Sequence, residues 1–314
     1  MIDASLTDPD LPGTVRVVSA HATDVGRVRE TNEDSVLDAH PIHMVADGMG
    51  GHNAGEVASA IAVEEFEKLT VQENVTIEQL GDALRSAGAR ISGLSADDER
   101  GAGTTVALVA TMVLDGVGYW VVMNLGDSRV YRLSGELFEQ VSVDHSVVQE
   151  LIDHGDLTDA EARVHPYRHM ITRALGVGAE PDPDFWLIPA EVGDRILVCS
   201  DGLTNEISDE AIERLLRSDA DVDDLSRAFV RHAVEAGGHD NVSVVVVEAT
   251  ALVGLSAGDA QQRGSGAPQP AIEVEEDTHP RGADGAGSSG EDAQHETDGT
   301  DDAKDGDGTE DRSQ

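Results

Sequence analysis

The sequence predicts an α+β domain in which packed antiparallel β-sheets are flanked by helices. Three observations carry that expectation. Runs rich in β-branched residues, 104–114 and 242–248 above all, read as strands. Short Gly/Asp pairs, Asp115-Gly116 and Gly126-Asp127, join neighbouring strands as an antiparallel meander. Segments with helical periodicity are bunched between groups of strands, which argues against a doubly wound parallel sheet.

Residues 1–13 form an acidic leader without the apolar core of a signal peptide, and disorder is expected there. A strand follows at 15–22, a polar connection at 23–34, and a resumed strand at 35–37. The apolar run 43–46 ends at Asp47 and opens into a glycine-rich turn with glycines at 48, 50, 51 and 55. An amphipathic helix is expected at 56–69, with Val57, Ala60, Ile61, Glu64, Glu65 and Lys68 sorting onto two faces. A second helix covers 76–94 and opens on Thr76 with Glu78 and Gln79 nearby, a capping pattern. Strands then fall at 104–114, 118–124 and 129–133, and short helices at 147–154 and 159–164 lie in an insertion-like segment. Strands at 185–188 and 195–199, a turn at 200–203, helices at 209–216 and 222–235, a tight loop at 237–241 and the strand at 242–248 complete the domain. The domain thus spans 14–250, and 251–314 is an acidic tail too poor in apolar residues to offset its conformational entropy by burial.

The formal charge is −41, from 62 acidic and 21 basic residues. From residue 255 onward there are 16 acidic and 4 basic residues, so the remainder, with 46 and 17, is strongly acidic in its own right. Such a surface repels nucleic acid and anionic membranes and tolerates cations. Cys199 is the single cysteine, which excludes an intrachain disulfide and a cysteine metal site; it reads as a small buried hydrophobe. No apolar run reaches the roughly 20 residues that span a bilayer, and a soluble, cytoplasmic monomer is expected.

Several carboxylates share one local pattern. Asp47-Gly48, Asp201-Gly202 and Asp240-Asn241 each sit at a strand edge beside a turn residue, Asp127 lies in a tight turn, and Glu33-Asp34 closes the first connection. Taken singly, each is an ordinary turn former. Strand ends on one rim of a sheet can, however, gather distant residues, and carboxylates so gathered repel one another unless cations sit among them. All-oxygen donors select hard ions such as Mg²⁺ or Mn²⁺. Arg29 would be a bidentate clamp for a phosphoryl group or a solvated partner of Glu30, and Arg27 is equally available by spacing.

With these residues assembled, the chain resembles the metal-dependent protein serine/threonine phosphatases of the PPM (PP2C-type) family in its bacterial form. The resemblance rests on 24–35 (DVGRVRETNEDS), 46–52 (ADGMGGH), Gly103-Thr104-Thr105, 124–129 (NLGDSR), 171–176 (ITRALG), 199–203 (CSDGL) and 238–243 (GHDNVS), in the family's order. It implies a four-layer α-β-β-α sandwich of two antiparallel sheets flanked by helices, with a two-metal centre at one end. On that resemblance Asp47 bridges two Mn²⁺ or Mg²⁺ ions, the Gly48 carbonyl completes the first, and Asp201 and Asp240 bind the second. Glu33 and Asp34 act through water, Asp127 contributes to a third, weaker ion, and Arg29 takes the phosphate. Residues 145–168 correspond to a variable flap that influences substrate choice.

The implied chemistry is in-line attack on phosphoserine or phosphothreonine by a water that bridges the metals, with no side-chain nucleophile. The leaving alkoxide needs a proton, from His52 or from a metal-bound water. The substrates are phosphorylated Ser/Thr proteins, and the enzyme would oppose bacterial Ser/Thr kinases in signalling. Two other readings stand beside this one: a catalytically silent phosphoprotein-binding module on the same fold, and a phosphatase dedicated to one anti-anti-sigma-type regulator. The presence of Asp47, Asp201 and Asp240 argues against the silent module.

Overall fold

Period-two burial organises the computed structural model, which describes residues 13–51, 54–94, 101–178 and 180–254. One sheet runs in the order β1 (Thr14–Asp24), β11 (Val242–Val253), β10 (Arg195–Cys199), β7 (Arg129–Ser134) and β8 (Leu137–Gln140). The other runs β2 (Asp34–Ala39), β3 (Ile42–Gly50), β5 (Val106–Leu114), β6 (Val117–Leu125) and β9 (Asp184–Pro189), with β4 (Ala102–Thr104) paired to the end of β3. Every pairing between these strands is antiparallel.

The valine run of β11 shows why the sheets stack. Val245 and Val247 enter the core between the sheets, while Val244 and Val246 face the opposite way into a helix-covered core. β5 repeats the pattern, with Ala107 and Val109 between the sheets and Val106, Leu108 and Ala110 under helices. Strands buried on both faces read as near-continuous apolar runs, as these do. Helices α1 (Ala54–Glu67) and α2 (Ile77–Leu94) cover one sheet, and α6 (Asp209–Leu216) and α7 (Val222–Ala236) cover the other. The result is the expected α-β-β-α sandwich.

The sequence placed most elements within a few residues, and the differences have physical causes. The Asp115-Gly116 hairpin forms as expected, with both residues at positive φ, 51° and 74°, the demand of a type I′ turn. Gly126-Asp127 does not continue the meander: β6 pairs with β9, and β7 crosses to the other sheet beside β10. The glycine-rich segment is not simply a turn, because β3 runs on through Gly50 and pairs with β4. The 200–203 turn is the start of a helical turn, α5 (Asp201–Thr204). The short edge strand β8 was not foreseen, and β11 continues past residue 250 to Val253.

In α1 the buried face is Ala58, Ile61, Ala62 and Phe66, whereas Val57 is exposed. Glu65 is buried among Lys68, Arg90 and Ser86, which supply its hydrogen bonds. The capping box of α2 forms in both directions, Gln79 N–H to Thr76 Oγ1 at 3.2 Å and Thr76 N–H to Gln79 Oε1 at 2.9 Å. Cys199 is buried, and burial pushes its thiol up to about 12, so it is inert as a nucleophile. Among the described residues no helix is long and apolar enough to cross a membrane. Residues 1–12 of the expected leader and the tail from 255 lie outside the described residues, as does His52.

Candidate metal centre

The carboxylates converge at the end of the sandwich where β2, β3, β10 and β11 begin or finish. Asp34 on β2 stands opposite Asp47 on β3 in the antiparallel register. Thr105 holds the Asp47 backbone by two hydrogen bonds and is itself braced by a third. Its N–H donates to the Asp47 carbonyl at 2.9 Å, its hydroxyl accepts the Asp47 N–H at 3.0 Å, and that hydroxyl meets Ser128 Oγ at 2.8 Å. Gly48 is required by a close approach. A Cβ there would lie 2.2 Å from the Gly55 carbonyl oxygen and 2.5 Å from that of Glu33, so only glycine lets α1 begin against β3. Gly202 repeats this device, since its Cβ would fall 1.9 Å from the Asn241 carbonyl oxygen. That contact brings Asp201, the first residue of α5, beside Asp240 at the head of β11.

Asn241 joins the remaining loop to this rim. Its Oδ1 accepts the Glu33 N–H at 2.9 Å, and its Nδ2 donates to the carbonyls of Val25 at 3.0 Å and Thr31 at 2.9 Å. The loop so held carries Arg29, which donates through one terminal nitrogen to Asp240 Oδ2 at 2.7 Å. Arg27 instead uses its backbone N–H, at 2.7 Å to the Gly238 carbonyl. Spacing could not choose between the two arginines; the structure puts the Arg29 side chain at the cluster. Ser200 Oγ donates to Asp34 Oδ2 at 3.0 Å and accepts the Ser243 N–H at 3.0 Å.

Electrostatics mark the group as one site. Asp47 is held well above the ordinary carboxylate range, first by desolvation and then by Asp34, Asp201, Asp127 and Asp240. Asp34 is pushed up to about 7 by burial and by Asp201 and Asp240, against hydrogen bonds from Ser243 and Ser200. Burial followed by repulsion from Asp201 raises Asp127, and burial followed by Asp240 raises Asp201. Glu33 is raised by burial more than Arg29 lowers it. Each of these carboxylates keeps some exposed area while the protein around it removes much of its hydration.

The donor set fits hard divalent cations. It is all oxygen, its members repel one another, and Asp34 Oδ1 is buried without a hydrogen-bond partner. Among the described residues no group of three or more His, Cys, Asp or Glu side chains is yet drawn into a coordination cage. Asp47 and Asp201 lie close enough for each to act on the other's charge.

The structure thus brings together Arg29, Glu33, Asp34, Asp47, Gly48, Asp127, Asp201 and Asp240. Sequence reasoning missed Asn241, Thr105, Ser200 and Ser243 as supports, although each lies inside a motif that carried the resemblance. It also missed exposed His169, just past the flap, which lies near enough to Asp201 to favour that carboxylate's charged form.

The family model for protein phosphatase 2C matches residues 27–240. The serine/threonine phosphatase stp of Listeria monocytogenes is 36% identical over 239 residues, covering 72% of this chain and 93% of that protein. The crystal structure of the Mycobacterium tuberculosis serine/threonine phosphatase PstP/Ppp superposes with a TM-score of 0.69 at 35% identity, covering 75% of this chain and 99% of that one. The catalytic domain of PstP in complex with two manganese ions gives a TM-score of 0.67 at 34% identity, covering 76% and 100%.

Proposed function

The chain belongs to the protein phosphatase 2C family, and from that premise we propose that it is a metal-dependent protein serine/threonine phosphatase. The observation that carries the reading is the cluster of mutually repelling carboxylates, Asp34, Asp47, Asp127, Asp201 and Asp240, with a guanidinium at its edge. Asp47, the Gly48 carbonyl, Asp201 and Asp240 are the groups that would hold the cations, Asp47 at the centre of the cluster. Glu33 and Asp34 would act on the cations through water, and Asp127 would contribute to a third, weaker ion. When bound, Mn²⁺ or Mg²⁺ lowers the pKa of water to near neutrality and offsets negative charge on the phosphoryl oxygens.

The protein's own contribution is placement. Arg29 gives one terminal nitrogen to Asp240, which holds the guanidinium at the carboxylate cluster, where it would meet an incoming phosphoryl group. Thr105 and Asn241 fix the backbones that carry Asp47, Glu33 and Arg29. The inert Cys199 leaves no activated thiol to compete as a nucleophile. Phosphorylated Ser/Thr proteins are the substrates, and bacterial Ser/Thr kinases the opposing enzymes. The chain acts as a cytoplasmic monomer, its surface charge disfavouring nucleic acid and membranes.

The test is hydrolysis of p-nitrophenyl phosphate and a phosphothreonine peptide. Turnover should require Mn²⁺ or Mg²⁺ and vanish with EDTA. Metal-independent turnover would refute the reading, and metal binding without turnover would favour a silent binding module.

A further inference from the structure

We propose that His145 is a positioning residue that locks the neck of the flap to the turn carrying Asp127. The flap holds α3 (Val147–Asp153) and α4 (Asp159–Ala162). It leaves and rejoins the domain through a narrow neck, where Ser146 bridges Ile171, Val147 N–H donates to the Met170 carbonyl at 2.9 Å, and Thr172 N–H donates to the His145 carbonyl at 2.8 Å. His145 itself is only 6% exposed, so its polar atoms depend on protein partners rather than solvent.

Those partners lie on the Asp127 turn. The His145 N–H donates to the Gly126 carbonyl at 2.9 Å, and the Gly126 N–H returns a hydrogen bond to His145 Nδ1 at 3.1 Å. A backbone amide can only donate, so Nδ1 is the accepting nitrogen and the ring proton sits on Nε2. Nε2 faces Asp184 Oδ2 at 3.2 Å. Arg173, just beyond the neck, lies 3.3 Å from the same ring nitrogen and faces Asp184 Oδ1 at 3.5 Å. One imidazole therefore ties together the flap neck, β9 and the turn between β6 and β7.

The turn has little freedom to absorb a change. Gly126 takes a φ of 116°, and a Cβ there would lie 2.6 Å from Thr105 Cγ2. Ser128, on the other side of Asp127, bonds Thr105, which in turn holds the Asp47 N–H. The contacts run without a break from the flap neck through His145, Gly126–Ser128 and Thr105 to Asp47. Loosening the flap and loosening the Asp127 turn are the same event at His145.

The effect of this lock on turnover rests on the phosphatase reading; its effect on backbone protection does not. The test uses the full-length chain as wild type, His145→Ala, His145→Asn and His145→Gln. Amide hydrogen exchange is followed at Gly126 and Thr172 in metal-free protein, and hydrolysis is followed at saturating Mn²⁺. Loss of the Nδ1 acceptor should speed Gly126 exchange about tenfold in the Ala variant. Asn, whose Oδ1 stands near the place of Nδ1, should restore protection, and Gln should not. The Ala variant should lose about tenfold in kcat/KM on a phosphothreonine peptide relative to p-nitrophenyl phosphate, which offers no polypeptide for the flap to meet.

Unchanged Gly126 exchange in the Ala variant would overturn the proposal. So would equal losses in the Ala, Asn and Gln variants that simply track melting temperature. Should the Ala variant fail to fold, the Asn and Gln pair decides the matter by whether Asn alone protects Gly126. A wild-type chain without hydrolysis would count against the phosphatase reading alone, because exchange at Gly126 decides the lock.

Discussion

Replacing Asn241 should damage stability and catalysis together, because one buried amide holds the loop that carries Arg29 and Glu33. The side chain is 5% exposed and makes three hydrogen bonds, to the Glu33 N–H and to the carbonyls of Val25 and Thr31. At about 1 kcal/mol each, with part of the loss recovered by water, Asn241→Ala should cost about 2–3 kcal/mol. Asn241→Asp is the sharper variant. It keeps an acceptor for Glu33 but turns a carboxylate oxygen toward two carbonyls, beside Asp240, so it should be at least as unstable as Ala. Urea denaturation measures both, and freed motion of about 1 Å in the loop should lower kcat/KM roughly 10–100-fold. An Asp variant within about 0.5 kcal/mol of wild type would refute the reasoning, since like partners would then face each other without cost.

Three further outcomes follow from the same contacts. Gly48→Ala should lose about 2–3 kcal/mol in urea unfolding, because its Cβ meets the backbone oxygens of Gly55 and Glu33 rather than a movable side chain. Asp194→Ala should cost about 3–5 kcal/mol, because it strips the carboxylate from buried Arg132 and from Trp120 Nε1 while lying at the end of β10 opposite Asp201. Its activity should persist wherever the chain is folded. Asp38 gives a pH signature: burial alone would raise it, but hydrogen bonds from His43, Ser19 and His21 hold it down at about 2, from an ordinary value of 3.8. A depressed carboxylate stabilises the fold above its unfolded value and loses that contribution as pH falls through the folded one. The difference between wild type and Asp38→Asn should therefore be on the order of 2 kcal/mol at pH 7 and shrink between about pH 4 and pH 2. A difference that stays constant across that window would contradict the assignment.

What could be read from the sequence follows the kind of interaction involved. Period-two burial is written in the order of side chains, so β5, β10 and β11, which line three cores between them, were legible. The Asp-Gly junctions were legible too, although the reason for Gly48 and Gly202 is backbone crowding in space, which spacing along the chain does not reveal. The exchange of sheets after β6 was hidden because Gly126-Asp127 is also hairpin chemistry. Its departure depends on packing against Thr105 and on His145, which lies 19 residues away. Asn241 and His145 act on backbone N–H and C=O groups, and such contacts leave no periodic trace. The resemblance to a family located the carboxylates; the structure supplied what holds them in place.

The central claim is that Asp47 organises a cation site on which hydrolysis depends. Calorimetric titration of Mn²⁺ into metal-free wild-type and Asp47→Asn chains, with phosphothreonine-peptide hydrolysis on the same samples, tests it most directly. Wild type should bind two ions and hydrolyse the peptide. Asp47→Asn should keep its circular dichroism, lose ion binding and fall about a thousandfold or more in turnover. An Asp47→Asn chain that binds Mn²⁺ and hydrolyses the peptide like wild type would contradict the account.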